Sequence, residues 1–129
     1  MTNTEKFKIS TKTKRLTTCE KSIDVAVTEF KDKYFIIISE TGKMGTLVQV
    51  SRETSGMETL FNSKVLFGKD EPETNAAACA LTETCNLLKP VVFGFSMRNF
   101  SSSAVKDLKQ VIDTMIEKPP KEATVNVIP

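Results

Sequence analysis

The chain has 129 residues, 40% hydrophobic and 26% charged, with a net charge of +2 at pH 7. That fits one domain able to bury a core without disulfides and leaves no room for a two-domain enzyme. There is no His and no Trp, which removes imidazole bases, Ser-His and Cys-His nucleophile pairs and His-ligated zinc or haem.

The three cysteines, Cys19, Cys79 and Cys85, form no C-x-x-C pair and read as structural thiols of the cytosol, or of cytosol and nucleus. Residues 1–22 carry Lys6, Lys8, Lys12, Lys14, Arg15 and Lys21 against Glu5 and Glu20. A basic start of this kind offers a nucleic-acid or acidic-protein module as an alternative function. With Phe7 alone to stack on bases, it reads better as a charged strand edge, and 1–11 as an edge strand or flexible lead. Ile9 and Leu16 differ in parity, so a bulge or break is expected within 10–14. The alternation of Ile23, Val25 and Val27 with Asp24, Ala26 and Thr28 predicts a half-buried strand over 22–30.

Lys31-Asp32-Lys33 is a polar turn into 34–39, which is apolar on both parities. The run 35–38 is far too short to cross a membrane, and no signal-peptide pattern precedes it. Thr41-Gly42-Lys43-Met44-Gly45 predicts a hairpin into a strand at 46–50. Gly42-Lys43 is not a phosphate loop, because Met44 replaces the required hydroxyl and no glycine stands five residues earlier. Residues 51–60 read as a loop around Ser55-Gly56, and 64–67 as a short strand ended by Gly68.

Asp70 as cap, Pro72 in the first turn and Glu73 three residues after Asp70 predict a helix start. Ala77, Ala80, Leu81, Thr84 and Leu88 give that helix one face, and Lys89-Pro90 ends it. A buried strand follows at 91–95. One of Ser101, Ser102 and Ser103 caps a second helix, whose stripe is Val105, Leu108, Val111, Ile112, Met115 and Ile116. Pro119-Pro120 stop it, leaving 1–118 as a single domain and 119–129 as a tail.

The expected class is α+β: a bent antiparallel sheet or sandwich of about six strands with two packed helices. Segments 35–38, 65–67 and 91–95 are apolar on both parities, yet two helices cover one side of a sheet. The other side must be covered by the sheet folding over itself or by a second polypeptide. No acid–base pair, metal set or cofactor motif emerges. Asp70-Glu71-x-Glu73 supplies too few ligands for a calcium loop and is accounted for by capping.

Two blocks carry a resemblance. Phe35-Ile36-Ile37-Ile38-Ser39-x-x-Gly42-Lys43-Met44-Gly45-Thr46-Leu47-Val48 resembles the aliphatic strand and hairpin of the proteasome assembly chaperone 3 family. Lys64-Val65-Leu66-Phe67-Gly68-Lys69-Asp70-Glu71-Pro72 resembles a second block of that family in register. The strand at 91–95 and Leu108-Lys109-x-Val111-Ile112 fit its carboxyl end. The resemblance implies a non-enzymatic, cofactor-free chaperone that pairs with proteasome assembly chaperone 4, with a homodimer open to the isolated chain. It also implies binding to α subunits of the 20S core, promotion of α-ring assembly and release as β subunits add, with no membrane or nucleic-acid partner. The motif match nominates Lys43, Met44, Asp70 and Glu71 as partner contacts and Gly42, Gly45, Thr46 and Pro72 as shaping residues. An exposed Met44 would anchor a partner; a tip folded back on its own core is the other reading.

Overall fold

The computed structural model describes residues 9–17, 22–43, 45–97 and 101–116. Six strands and two helices are present among them: β1 (Ser10–Thr17), β2 (Ser22–Glu29), β3 (Tyr34–Ser39), β4 (Thr46–Ser55), β5 (Glu58–Phe67), α1 (Pro72–Thr84), β6 (Val91–Ser96) and α2 (Ser102–Met115). The strands form one sheet in the order β1-β2-β3-β6-β4-β5. The α+β class is as expected, but the sheet is mixed: β6 runs parallel to β3, and every other pair is antiparallel.

The strands with a periodic signal form where the pattern places them. Ile23, Val25 and Val27 of β2 are buried, as are Tyr34, Ile36 and Ile38 of β3. β1 pairs with β2 in one unbroken register from Ser10↔Glu29 to Thr17↔Ser22, so the bulge expected within 10–14 is not formed. Ile9 is exposed instead, because it stands just ahead of β1 and is not held by its ladder.

Two expectations are corrected by the topology. The turn at 41–45 does not close a hairpin, because β6 lies between β3 and β4 and hydrogen-bonds to both. The connection instead passes over the end of β6. Glu40 N donates to Ser96 O at 2.8 Å, and the Thr41 and Ser96 hydroxyls are 2.6 Å apart. Gly45 has φ +73°, and a Cβ there would sit 1.9 Å from Phe95 O, so only glycine lets the chain cross so closely. The hairpin lies at 51–60, where a loop was expected. β4 and β5 pair from Leu47↔Phe67 to Ser55↔Glu58 around Gly56-Met57. Gly56, at φ +64°, suits the first central position of a two-residue II′ turn.

Both helices lie on one face of the sheet. α1 packs on β4, β5 and β6, and α2 on β1 and β2, with the helices touching each other. The α2 stripe is as expected: Leu108, Val111, Ile112, Met115 and Ile116 are buried. Ser101 is its cap, accepting from Ala104 N at 3.1 Å.

For α1 the expected face is off by about one position. Thr74, Ala77, Ala78, Leu81 and Thr82 face the core, followed by Cys85, while Leu88 is 66% exposed. The helix stops at Thr84 and Asn86 takes φ +55°, which puts Leu88 outside its last turn. Thr82 can be buried because its hydroxyl donates to Ala78 O at 2.9 Å. The helix cap is Glu71 rather than Asp70, without a side-chain capping bond. Asp70 Oδ1 instead accepts from Asn75 Nδ2 at 2.6 Å.

Candidate protein-interaction surface

Strand side chains alternate between faces, so each central strand divides its residues between the helices and the opposite side. On the helix side, Val25, Ile36, Ile38, Phe93, Val48 and Val50 are essentially inaccessible. The registers then fix what stands on the other face. One row runs Thr13–Ala26–Ile37–Gly94–Leu47–Phe67, across all six strands. The next runs Thr11–Thr28–Phe35–Val92–Gln49–Lys64.

Ala26, Phe35, Ile37, Val92 and Leu47 are only half-buried, although they lie on inner strands. Phe67 is 70% exposed, and Leu66 beside it is also exposed. Neither helix covers these residues, and the sheet does not fold over them. Among the described residues, nothing folds over this side of the sheet. Both rows are apolar at the centre and polar at β1, and the second ends on Gln49 and Lys64 at the β5 side, the pattern of an interface with a rim.

At one corner this face sinks into a depression of about 610 Å³, lined among others by Thr13, Arg15, Asp24, Ala26, Ile37 and Lys43. Arg15 and Asp24 make a two-pronged pair across β1 and β2, with Nε donating to Oδ1 at 2.8 Å and Nη2 to Oδ2 at 3.4 Å. That hydrogen bond, reinforced by the carboxylate charge, raises the Arg15 pKa. The guanidinium therefore stays cationic at the rim of the depression.

Lys43 is exposed on the β3–β4 connection. That connection is held by Ser39, whose Oγ accepts from Thr41 N at 3.2 Å and Gly42 N at 2.8 Å. Gly42 takes φ +81° with open space around it, whereas Gly45 is pressed against Phe95. Thr46 opens β4 and touches Gly68. Met44 lies outside the described residues. Asp70 and Glu71 are exposed where the β5–α1 connection reaches Pro72, the first residue of α1. Both segments sit at the end of the sheet where β3 and β6 finish, but among the described residues neither carboxylate pairs with Lys43.

The far end carries a feature that motif reading missed. β4 pairs with β6 only from Thr46 to Val50, so 51–62 projects beyond β6 as a two-stranded arm. Met57 at its turn is 100% exposed and Leu60 is exposed. Arg52 lies 5.8 Å over the Phe61 ring. The signal available in sequence was Ser55-Gly56 between weakly alternating segments. Among the described residues no group of His, Cys, Asp and Glu is arranged to hold a metal, and no helix is long and apolar enough to cross a membrane.

The family model for proteasome assembly chaperone 3 matches residues 36–115. The chain belongs to the proteasome assembly chaperone 3 family. Among curated proteins it is similar to proteasome assembly chaperone 3 of Bos taurus, at 32% identity over 112 residues, covering 81% of this chain and 90% of that protein. The Homo sapiens and Mus musculus proteins of the same name are each 27% identical over the same coverage. A solved structure described as a novel chaperone complex for yeast 20S proteasome assembly contains a chain of like fold. Its TM-score is 0.68 at 12% identity, over 84% of this chain and 98% of that one. The match to the proteasome assembly chaperone 3 family spans Ile37, Leu47, Phe67 and Val92, and also Lys43, Asp70 and Glu71.

Proposed function

We propose that this chain promotes assembly of the 20S proteasome α-ring as a non-enzymatic subunit of a heterodimer with proteasome assembly chaperone 4. The observation that carries the reading is the uncovered apolar row Ala26–Ile37–Leu47–Phe67 on a sheet whose other face is packed against two helices. Fully burying an exposed Leu, Ile or Phe contributes about 1.5–3 kcal/mol, and the half-buried Ile37 and Leu47 with the exposed Phe67 gain a part of that under a matching sheet face. Family membership and the fold shared with a chain of a yeast 20S assembly complex support the same reading.

With one face given to the related subunit, the sheet end bearing Lys43, Asp70 and Glu71 is left to meet an α subunit, with Met44 adjoining Lys43 in sequence. Release needs no nucleotide, because an incoming β subunit competes for the same α-ring surface. The site of action is the cytosol, with the nucleus as a second compartment.

Co-expression and pull-down test the pairing. Ile37→Asp with Leu47→Asp abolishes capture of proteasome assembly chaperone 4, while circular dichroism of the variant matches the parent. Full capture by that variant would refute the assignment of the open face. Lys43→Ser with Met44→Ser keeps the heterodimer and weakens α-subunit capture; unchanged capture would discard those contacts.

A further inference from the structure

The two edges of the sheet are built differently. β1 holds Lys12, Lys14 and Arg15 within eight residues, a cationic edge that repels its own copy. β5, the other terminal strand, is ten residues long with one acid, Glu58, and one base, Lys64. Its Leu60, Leu66 and Phe67 are exposed. A long edge with so little charge is a template for another strand.

From these residues we infer that β5 pairs antiparallel with β5 of a second copy, about a two-fold axis through Phe61. Such an axis stands normal to the sheet, so residues opposite each other share a face and the open faces of both copies remain on one side. With Phe61 on the axis, Glu58 stands opposite Lys64 of the second copy, twice over. Leu60 stands opposite Asn62, Thr59 opposite Ser63, and the two Phe61 rings meet on the face where each carries Arg52. Opposite charges and aromatic pairs in directly facing positions stabilise such a pairing.

Other registers lose this match. An axis at Leu60 sets Asn62 against Glu58, an axis at Asn62 sets Lys64 against Leu60, and an axis at Lys64 sets the two lysines against each other. The charge pattern of β5 therefore selects one register with itself. Glu58, Leu60, Lys64 and Phe67 lie at the border of the open face, but pairing at the β5 edge leaves its central residues Ala26, Ile37 and Leu47 uncovered.

Sedimentation equilibrium of the full chain over a concentration series tests it. Lys64→Glu and Glu58→Lys each weaken the association by about tenfold, because each sets like charges opposite one another twice. The double variant, Glu58→Lys with Lys64→Glu, restores the pairs in reverse and recovers the parent association to within about threefold. Three results would overturn the inference. One is a double variant weaker than either single variant. Another is a mass that stays that of a single chain up to about 1 mM. The third is association that survives Lys64→Glu but vanishes in Ile37→Asp, which would place the contact on the open face.

Discussion

The two faces of the central strands have similar chemistry and different fates. In β3, Ile36 and Ile38 face the helices and are fully buried, while Phe35 and Ile37 face the other way and stay half-exposed. In β4 the same contrast separates Val48 from Leu47. The helix face stabilises the fold, and the open face adds comparatively little until something covers it. An apolar residue on this sheet thus belongs to folding or to association according to its parity.

Substitution can break that contrast. Phe93, fully buried and stacked on Phe95 with centroids 5.1 Å apart, tests the helix side. Phe93→Ala is expected to lower stability by about 3–5 kcal/mol, read from the denaturant midpoint. Ile37→Ser on the opposite face is expected to cost about 1 kcal/mol or less while weakening partner capture. Equal stability losses would erase the distinction between the faces.

The two glycines of the β3–β4 connection sharpen it at the sheet end. Gly45→Ala is expected to cost about 3 kcal/mol or more, combining left-handed strain with a clash on Phe95 O. Gly42→Ala meets open space and carries only the strain of its φ, about 1 kcal/mol. Thermal melts of the pair measure the difference.

The smallest effect concerns pH. Tyr34 is buried on the helix face, and burial raises its phenol pKa, with the Glu29 charge adding to it. The folded state therefore holds its proton more tightly than the unfolded chain, whose value is about 10. This contribution is complete below about pH 10 and is lost as pH climbs through the folded value. Tyr34→Phe should flatten the decline in stability between about pH 9 and 11, followed by denaturant titration at each pH.

These faces are partly legible in the amino-acid sequence. Double-parity apolar runs at 35–38 and 91–95 fall on inner strands, where both faces meet apolar neighbours. The third such run, 65–67, lies on the edge strand β5, with Leu66 and Phe67 exposed. The stripe of α2 was legible because Leu, Val and Ile contrast sharply with Lys and Asp. The β4–β5 arm was hidden for the complementary reason: beyond Val50 only Phe61 still packs against the core, so Ser51, Glu53 and Asn62 carry no binary pattern. α1 blurred because Ala and Thr tolerate either environment. Strand order was out of reach, since the insertion of β6 between β3 and β4 joins segments more than forty residues apart. Without that order, Ile37, Leu47 and Phe67 could not be placed in one row. Lys43 was visible as a turn residue, but its position at the rim of a depression depends on how the chain crosses β6.

Thiol labelling tests the central claim most directly. With Leu47→Cys in the otherwise natural chain, maleimide modification of residue 47 is followed by peptide mass spectrometry, free and after mixing with proteasome assembly chaperone 4. Ready labelling of the free chain and strong protection in the complex are expected. Equal labelling in both states, with the complex intact, would contradict the claim.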